Sequence, residues 1–159
     1  MAKRTGKRRD IVVTTVHLLA GALFRIAIKQ PLVVALVAFS THYLLDAIPH
    51  YAPKPVKNFR EEGLKGASII EITIKGFEPL IGVGIILYLS RIAPNDLVAP
   101  LIIGAVFGWL PDFFVFLEWK YGINRPWPFR DFEIKTHKHI GGLKGVTPQL
   151  MVFLGCLLL

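Results

Sequence analysis

The stretch AFSTHYLLDAIPHY, residues 38–51, decides how the chain is read. His42, Asp46 and His50 recur in it at four-residue spacing, at the downstream end of an apolar run that begins at Pro31. One helical turn separates His42 from Asp46, so their side chains share a face. An imidazole and a carboxylate inside so apolar a segment are costly to bury, and are expected to be paired, metal-bound or open to water. Pro31 suits the first turn of a helix, and Pro49 disfavours helical geometry at the residue before it. The pattern therefore predicts a helix over residues 31–48, with His50 just outside it and free to fold back toward its mouth. Ala35, Ala38, His42 and Asp46 form one stripe on that helix, in which small residues that permit close helix approach in lipid lead into polar ones.

The rest of the chain has a membrane composition. Of its 159 residues 53% are hydrophobic and 19% charged, the mean hydropathy is +0.51, and the apolar residues cluster in blocks near the ~20 residues a bilayer helix needs. The net charge is +8. The basic residues flank the apolar blocks and do not form a stripe with interleaved aromatics, which argues against a nucleic-acid partner. They fit the positive-inside bias of a membrane protein beside anionic lipid headgroups. A single cysteine, Cys156, excludes an intramolecular disulfide and any cysteine-cluster metal site.

In chain order, residues 1–10 (MAKRTGKRRD) read as a polar basic arm. Residues 11–28 form the first apolar span, interrupted by His17 and Arg25. A basic arm before an apolar run also resembles a secretory signal, but no convincing small-x-small cleavage site follows, so a retained helix is expected. After the second helix, residues 51–67 read as a polar linker along the interface. A third span covers residues 68–92, with Glu71, Lys75 and Glu78 in its first half spaced to pair on one face. Residues 91–96 (RIAPND) read as a turn with Asp96 as N-cap of a fourth helix over residues 97–119. In that helix Gly104, Gly108 and Asp112 repeat the small-to-acidic stripe, with Pro111 expected to kink it. Residues 120–146 read as a long polar loop carrying His137 and His139, and residues 149–159 as a short last helix. Together this is an all-α integral membrane bundle of four to five helices, a single domain over residues 11–159.

Lysine and arginine fall unevenly about these spans. The arm carries five, the second linker through Lys75 five and the fourth loop six, against only Arg25, Lys29 and Arg91 on the other side. That asymmetry predicts a multi-pass inner-membrane protein with a cytoplasmic N-terminus and four genuine spans. It also places His17 and His42 at one depth, roughly 10 Å in from the same surface at 1.5 Å per residue. Asp46 and Asp112 fall nearer that surface, and His50, His137 and His139 at or beyond it. All five histidines thus belong to one half of the membrane.

Several imidazoles with one to three carboxylates suit Zn²⁺, and also Mn²⁺ or Fe²⁺. His17, His42, Asp46 and Asp112 are the expected core ligands. His50, His137 and His139 would complete the shell or move protons, with Asp46 and His50 as catalytic groups. Glu71 or Glu78 could add a ligand or orient an imidazole. Such an ion would acidify bound water for attack on an ester or phosphoester. Each residue also has a plainer role. His17 can bond a neighbouring backbone or hydroxyl, and His42 with Asp46 can be a satisfied pair. Asp112 can cap a helix end, Glu71, Lys75 and Glu78 can form a salt-bridged face, and Gly104 and Gly108 can serve helix packing.

An early membrane histidine, then THYLLDAIPHY, GWLPDFF and a late histidine pair resemble the small bacterial membrane-bound metal-dependent hydrolases over most of the chain. The resemblance implies a helical membrane fold, a metal site facing the cytoplasm at His17, His42, Asp46, Asp112 and His137, and hydrolase activity. A more distant similarity to helical zinc phospholipase C and P1-type nucleases implies phosphoester chemistry. The chain lacks the His-Arg-x-x-Thr-His-Ser segment of the better-known members, and THKHIGG is the candidate substitute. The expected function is therefore hydrolysis of a lipid or phosphoester at the cytoplasmic face. The rival from another class is a non-catalytic membrane protein whose His/Asp cluster locks helices together or contacts lipid headgroups.

Overall fold

A computed structural model describes residues 14–48, 69–122 and 143–158. The basic arm of residues 1–10, the linker after Ile48, and His50, His137 and His139 lie outside the described residues. Among the described residues every regular element is helical. Helix α1 spans Thr14–Leu23 and tightens into a 3-10 turn at Phe24–Ile26; α2 spans Pro31–Ala47, α3 Ile69–Ile92, α4 Asn95–Tyr121 and α5 Leu143–Leu158.

The second helix forms as its prolines require. Pro31 sits in its first turn after an extended Gln30, and Ile48 is extended at φ −71° and ψ 126°, as the residue before a proline must be. Three other boundaries differ from expectation. Asp96 is not an N-cap: the capping position is Pro94, without a side-chain bond. Asp96 lies in the first turn and accepts a hydrogen bond from Lys29 Nζ at 2.9 Å, an exposed pair of the kind that contributes little. Asp112 caps nothing, because α4 runs on through Pro100 and Pro111 and ends at Gly122 in the left-handed region (φ 70°), where the missing Cβ removes the steric penalty. The last helix starts at Leu143, inside the stretch expected to be loop, and carries Pro148 within it.

Helix α1 is the axis of the bundle. It packs against each of the other four helices, and eight of its ten residues are buried. Its sequence TTVHLLAGAL makes this possible, having no charged side chain and several small ones. Leu18, Leu19 and Ala22 meet Ile86 of α3 and Leu101 and Ala105 of α4 in the apolar core. The α1–α4 contact is backbone on backbone. A Cβ added to Gly21 would collide with the Gly104 carbonyl, and one added to Gly104 with the Gly21 carbonyl. Small residues at such a crossing let dispersion act along the full helix faces.

Polarity in this bundle is arranged inside out. Thr14, Thr15, His17, His42, Asp46 and Glu118 are buried, whereas Leu32, Leu36, Leu44, Phe77, Leu80 and Met151 are each more than 60% exposed. Among the described residues one helix, over Asn95–Glu118, is long and apolar enough to cross a membrane. That is fewer than the four spans expected from charge placement. Thr14–Ile26 and Pro31–Ala47 are apolar but shorter. Helix α3 has the length but carries Glu71, Lys75 and Glu78 in its first half and Arg91 in its last turn.

Candidate metal centre

The α2 stripe turns inward and the α4 stripe faces α1, as their small residues anticipate. Ala35, Ala38, His42 and Asp46 are all buried, and Gly104 and Gly108 abut α1 at Gly21 and at the His17 carbonyl. The polar ends of both stripes therefore arrive beside His17. The His17 and His42 rings lie 4.1 Å apart between centroids, inclined at 35°. Asp46 lies between them, its Oδ1 3.3 Å from His17 Nε2 and its Oδ2 3.3 Å from His42 Nε2. Asp112 Oδ1 lies 3.9 Å from His42 Nε2. His17, His42 and Asp112 each offer one donor atom within 4.8 Å of the others.

The tautomer of His42 follows from its far side. Nδ1 lies 2.8 Å from the Gly108 carbonyl oxygen. A carbonyl can only accept, so Nδ1 carries the proton, and in the neutral ring the Nε2 lone pair is turned toward Asp46, Asp112 and His17. This is how a backbone carbonyl orients a ligating imidazole. Gly108 provides both the acceptor and the room, because a Cβ there would fall 2.5 Å from the His17 carbonyl oxygen.

The residues present fit a divalent cation. Two carboxylates and two imidazoles converge in a site where His17, His42 and Asp46 are 1–2% exposed, and buried carboxylates are costly without a compensating positive charge. Asp112 Oδ2 and His17 Nδ1 are buried with no hydrogen-bond partner among the described residues. The 3.3 Å separations are longer than the ~2.7–2.9 Å of a charge-assisted hydrogen bond. A carboxylate oxygen and an imidazole nitrogen on one tetrahedral ion with ~2.0–2.2 Å bonds would stand about 3.3–3.6 Å apart, and Asp46 meets the two rings with different oxygens. Access is one-sided, since the Asp112 side chain retains 19% exposure and its partner His42 1%.

Four of the sequence-derived site residues, His17, His42, Asp46 and Asp112, are thus brought together, while His50, His137 and His139 lie outside the described residues. Glu78 was expected as a ligand, an orienting group or one member of a charged face. Its carboxylate instead accepts hydrogen bonds from the backbone N–H groups of Thr14 (3.1 Å) and Thr15. Sequence reasoning missed two features. The Gly108 carbonyl leaves no trace in residue identity. Glu118 is buried at 7% exposure, and its position near the end of a long apolar helix was the available signal.

Among the described residues, fold and site together define a helical bundle with a buried His/Asp cluster shared by α1, α2 and α4. No protein family, no curated protein and no solved structure matches this chain.

Proposed function

We propose that this is a multi-pass membrane protein with a cytoplasmic N-terminus. It holds a divalent ion, zinc before manganese or iron, at His17, His42, Asp46 and Asp112, and hydrolyses a lipid ester or phosphoester at the cytoplasmic face. The observation that carries the reading is that His17, His42 and Asp112 each offer a donor atom within 4.8 Å of the others, with Asp46 3.3 Å from both imidazoles. The mixed nitrogen and oxygen donors suit all three metals. When bound, such an ion supplies Lewis acidity and lowers the pKa of a coordinated water.

The chain's own groups divide the remaining work. His42, held by the Gly108 carbonyl, presents Nε2 in a fixed direction, and Asp46 bridges α1 and α2. Asp112 stands on the accessible side, where an acyl or phosphoryl group would enter. Exposed apolar side chains on the outward faces of α2 and α3 suit lipid contact, since soluble monomers seldom expose contiguous apolar surface of that extent. The resemblance of THYLLDAIPHY and GWLPDFF to membrane-bound metal-dependent hydrolases favours the same activity.

The test is metal analysis of detergent-purified protein beside the His42→Ala/Asp46→Asn double variant. About one equivalent of Zn, Mn or Fe should accompany the wild type and disappear from the variant. Release of headgroup or fatty acid from anionic lipid vesicles should fall in Asp112→Asn. Equal metal content in both proteins overturns the site. A second reading keeps the fold and drops the chemistry, with the cluster acting only as a lock between helices. It is favoured by the 1% exposure of Asp46, and wild-type protein without stoichiometric metal and without hydrolysis of any vesicle lipid would select it.

A further inference from the structure

We infer that Glu78 is the positioning residue for His17, setting the height and rotation at which α1 delivers its imidazole; the inference rests on the metal-binding reading above. The first turn of an α-helix has N–H groups with no partner inside the helix, and in apolar surroundings each unpartnered group is costly. Helix α1 has no acidic residue in its own first turn. Its acceptors come from α3: one Glu78 carboxylate oxygen takes the Thr14 N–H at 3.1 Å and the other takes the Thr15 N–H. The Thr15 hydroxyl donates to the Glu78 carbonyl oxygen at 2.7 Å. A carboxylate is also favoured at that end by the helix dipole.

Packing fixes the same register. One turn beyond Glu78, Gly82 lies against α1 so closely that a Cβ there would be 2.8 Å from Leu18 Cδ1 and 2.9 Å from Thr15 Oγ1. On the opposite side Gly108 of α4 approaches the His17 carbonyl. The first turn of α1 is held between α3 and α4, and His17 follows Thr15 by two residues. Slippage by one residue would move the imidazole ~1.5 Å along the axis and turn it by about 100°, away from Asp46. Because both carboxylate oxygens of Glu78 face backbone N–H groups, its role is to orient and not to ligate.

The experiment measures Co²⁺ affinity and the visible cobalt spectrum of the full-length protein in detergent, for wild type, Glu78→Ala, Glu78→Gln, His17→Ala and Glu78→Ala/His17→Ala. Leu101→Ala is the control for plain loss of stability. Expected are a Kd raised about tenfold or more in Glu78→Ala, a smaller rise in Glu78→Gln, and a cobalt spectrum in Glu78→Ala like that of His17→Ala. The double variant should be no worse than His17→Ala alone, and Leu101→Ala should melt earlier with an unchanged Kd. Wild-type affinity and spectrum in Glu78→Ala, or an equal further loss in the His17→Ala background, would overturn the inference. If Glu78→Ala does not fold, Thr15→Val, which removes the hydroxyl that bonds Glu78, should still weaken Co²⁺ binding, and an unchanged Kd there counts against the inference. If the wild type takes up no Co²⁺, the metal reading itself fails. Glu78 is then judged by histidine ring NMR: a displaced His17 resonance in Glu78→Ala supports the positioning role, and an unmoved one refutes it.

Discussion

Gly108→Ala separates the geometry of the site from the stability of the bundle. The added Cβ would lie 2.5 Å from the His17 carbonyl oxygen and 3.2 Å from Gly21 Cα, where ordinary contact begins at 3.4 Å. Neither neighbour is the end of a flexible side chain, so α1 and α4 must part by about 0.9 Å to relieve the overlap. Metal–ligand distances tolerate only about ±0.2 Å, so a displacement several times larger, at the residue whose backbone carries His17, should weaken binding by about 10–100-fold. Stability should change by no more than a comparable amount, since a 10–100-fold loss of affinity is about 1.4–2.7 kcal/mol. Overpacking costs about 1–3 kcal/mol, and replacing a mid-helix glycine by alanine returns about 1 kcal/mol, leaving a net loss of roughly 0–2 kcal/mol. Titration of the purified protein with Zn²⁺ under a competing chelator, paired with thermal unfolding in the same detergent, reads both quantities. A variant that melts within a few degrees of wild type and binds Zn²⁺ with wild-type affinity would refute the account of how His17 is placed.

Three further outcomes follow from the same structure. Chelation should lower the melting temperature of the wild type, because an ion bound at 100 times its Kd stabilises by about 2.7 kcal/mol; differential scanning with and without chelator checks it, and no difference would count against an ion at the cluster. Leu101→Ala removes a side chain with 0% exposure from the core between α1, α3 and α4 and should cost about 2–5 kcal/mol, measured by denaturant titration in detergent, with metal content unchanged. Asp96→Asn breaks an ion pair whose side chains are 76% and 58% exposed, so thermal unfolding should be indistinguishable from wild type.

What could be read in the residues was what depends on local geometry. Pro31 and Pro49 bound α2 because proline restricts itself and the residue before it, and His42 and Asp46 share a face because they are one turn apart. Counting residues in from the helix ends put His17 and His42 at one level, and their rings are 4.1 Å apart. What escaped depends on contacts between distant segments. Glu78 stands seven and three residues from Glu71 and Lys75, so a charged face looked natural. Its amide partners lie 63 and 64 positions away, and no periodicity points there. The N-cap expected of Asp96 failed because the helix begins one residue before it, at Asn95, so that Asp96 lies in the first turn, where Lys29, 67 positions upstream, meets its carboxylate. That α1, short as it is, forms the axis follows from its lack of charge, a property shared with other segments until packing separates them.

The parts of the cluster are unevenly distributed along the chain. His17, His42 and Asp46 all lie within the first helical hairpin, α1 and α2, whereas Asp112 and the Gly108 carbonyl come with α4. During synthesis, then, the hairpin carries two imidazoles and one carboxylate of the set well before the last donor has left the ribosome. The late arrival contributes the accessible carboxylate and the carbonyl that orients His42. The cluster thus waits on α4, which brings Asp112 and the Gly108 carbonyl to α1 and α2, while α5 follows later in the chain.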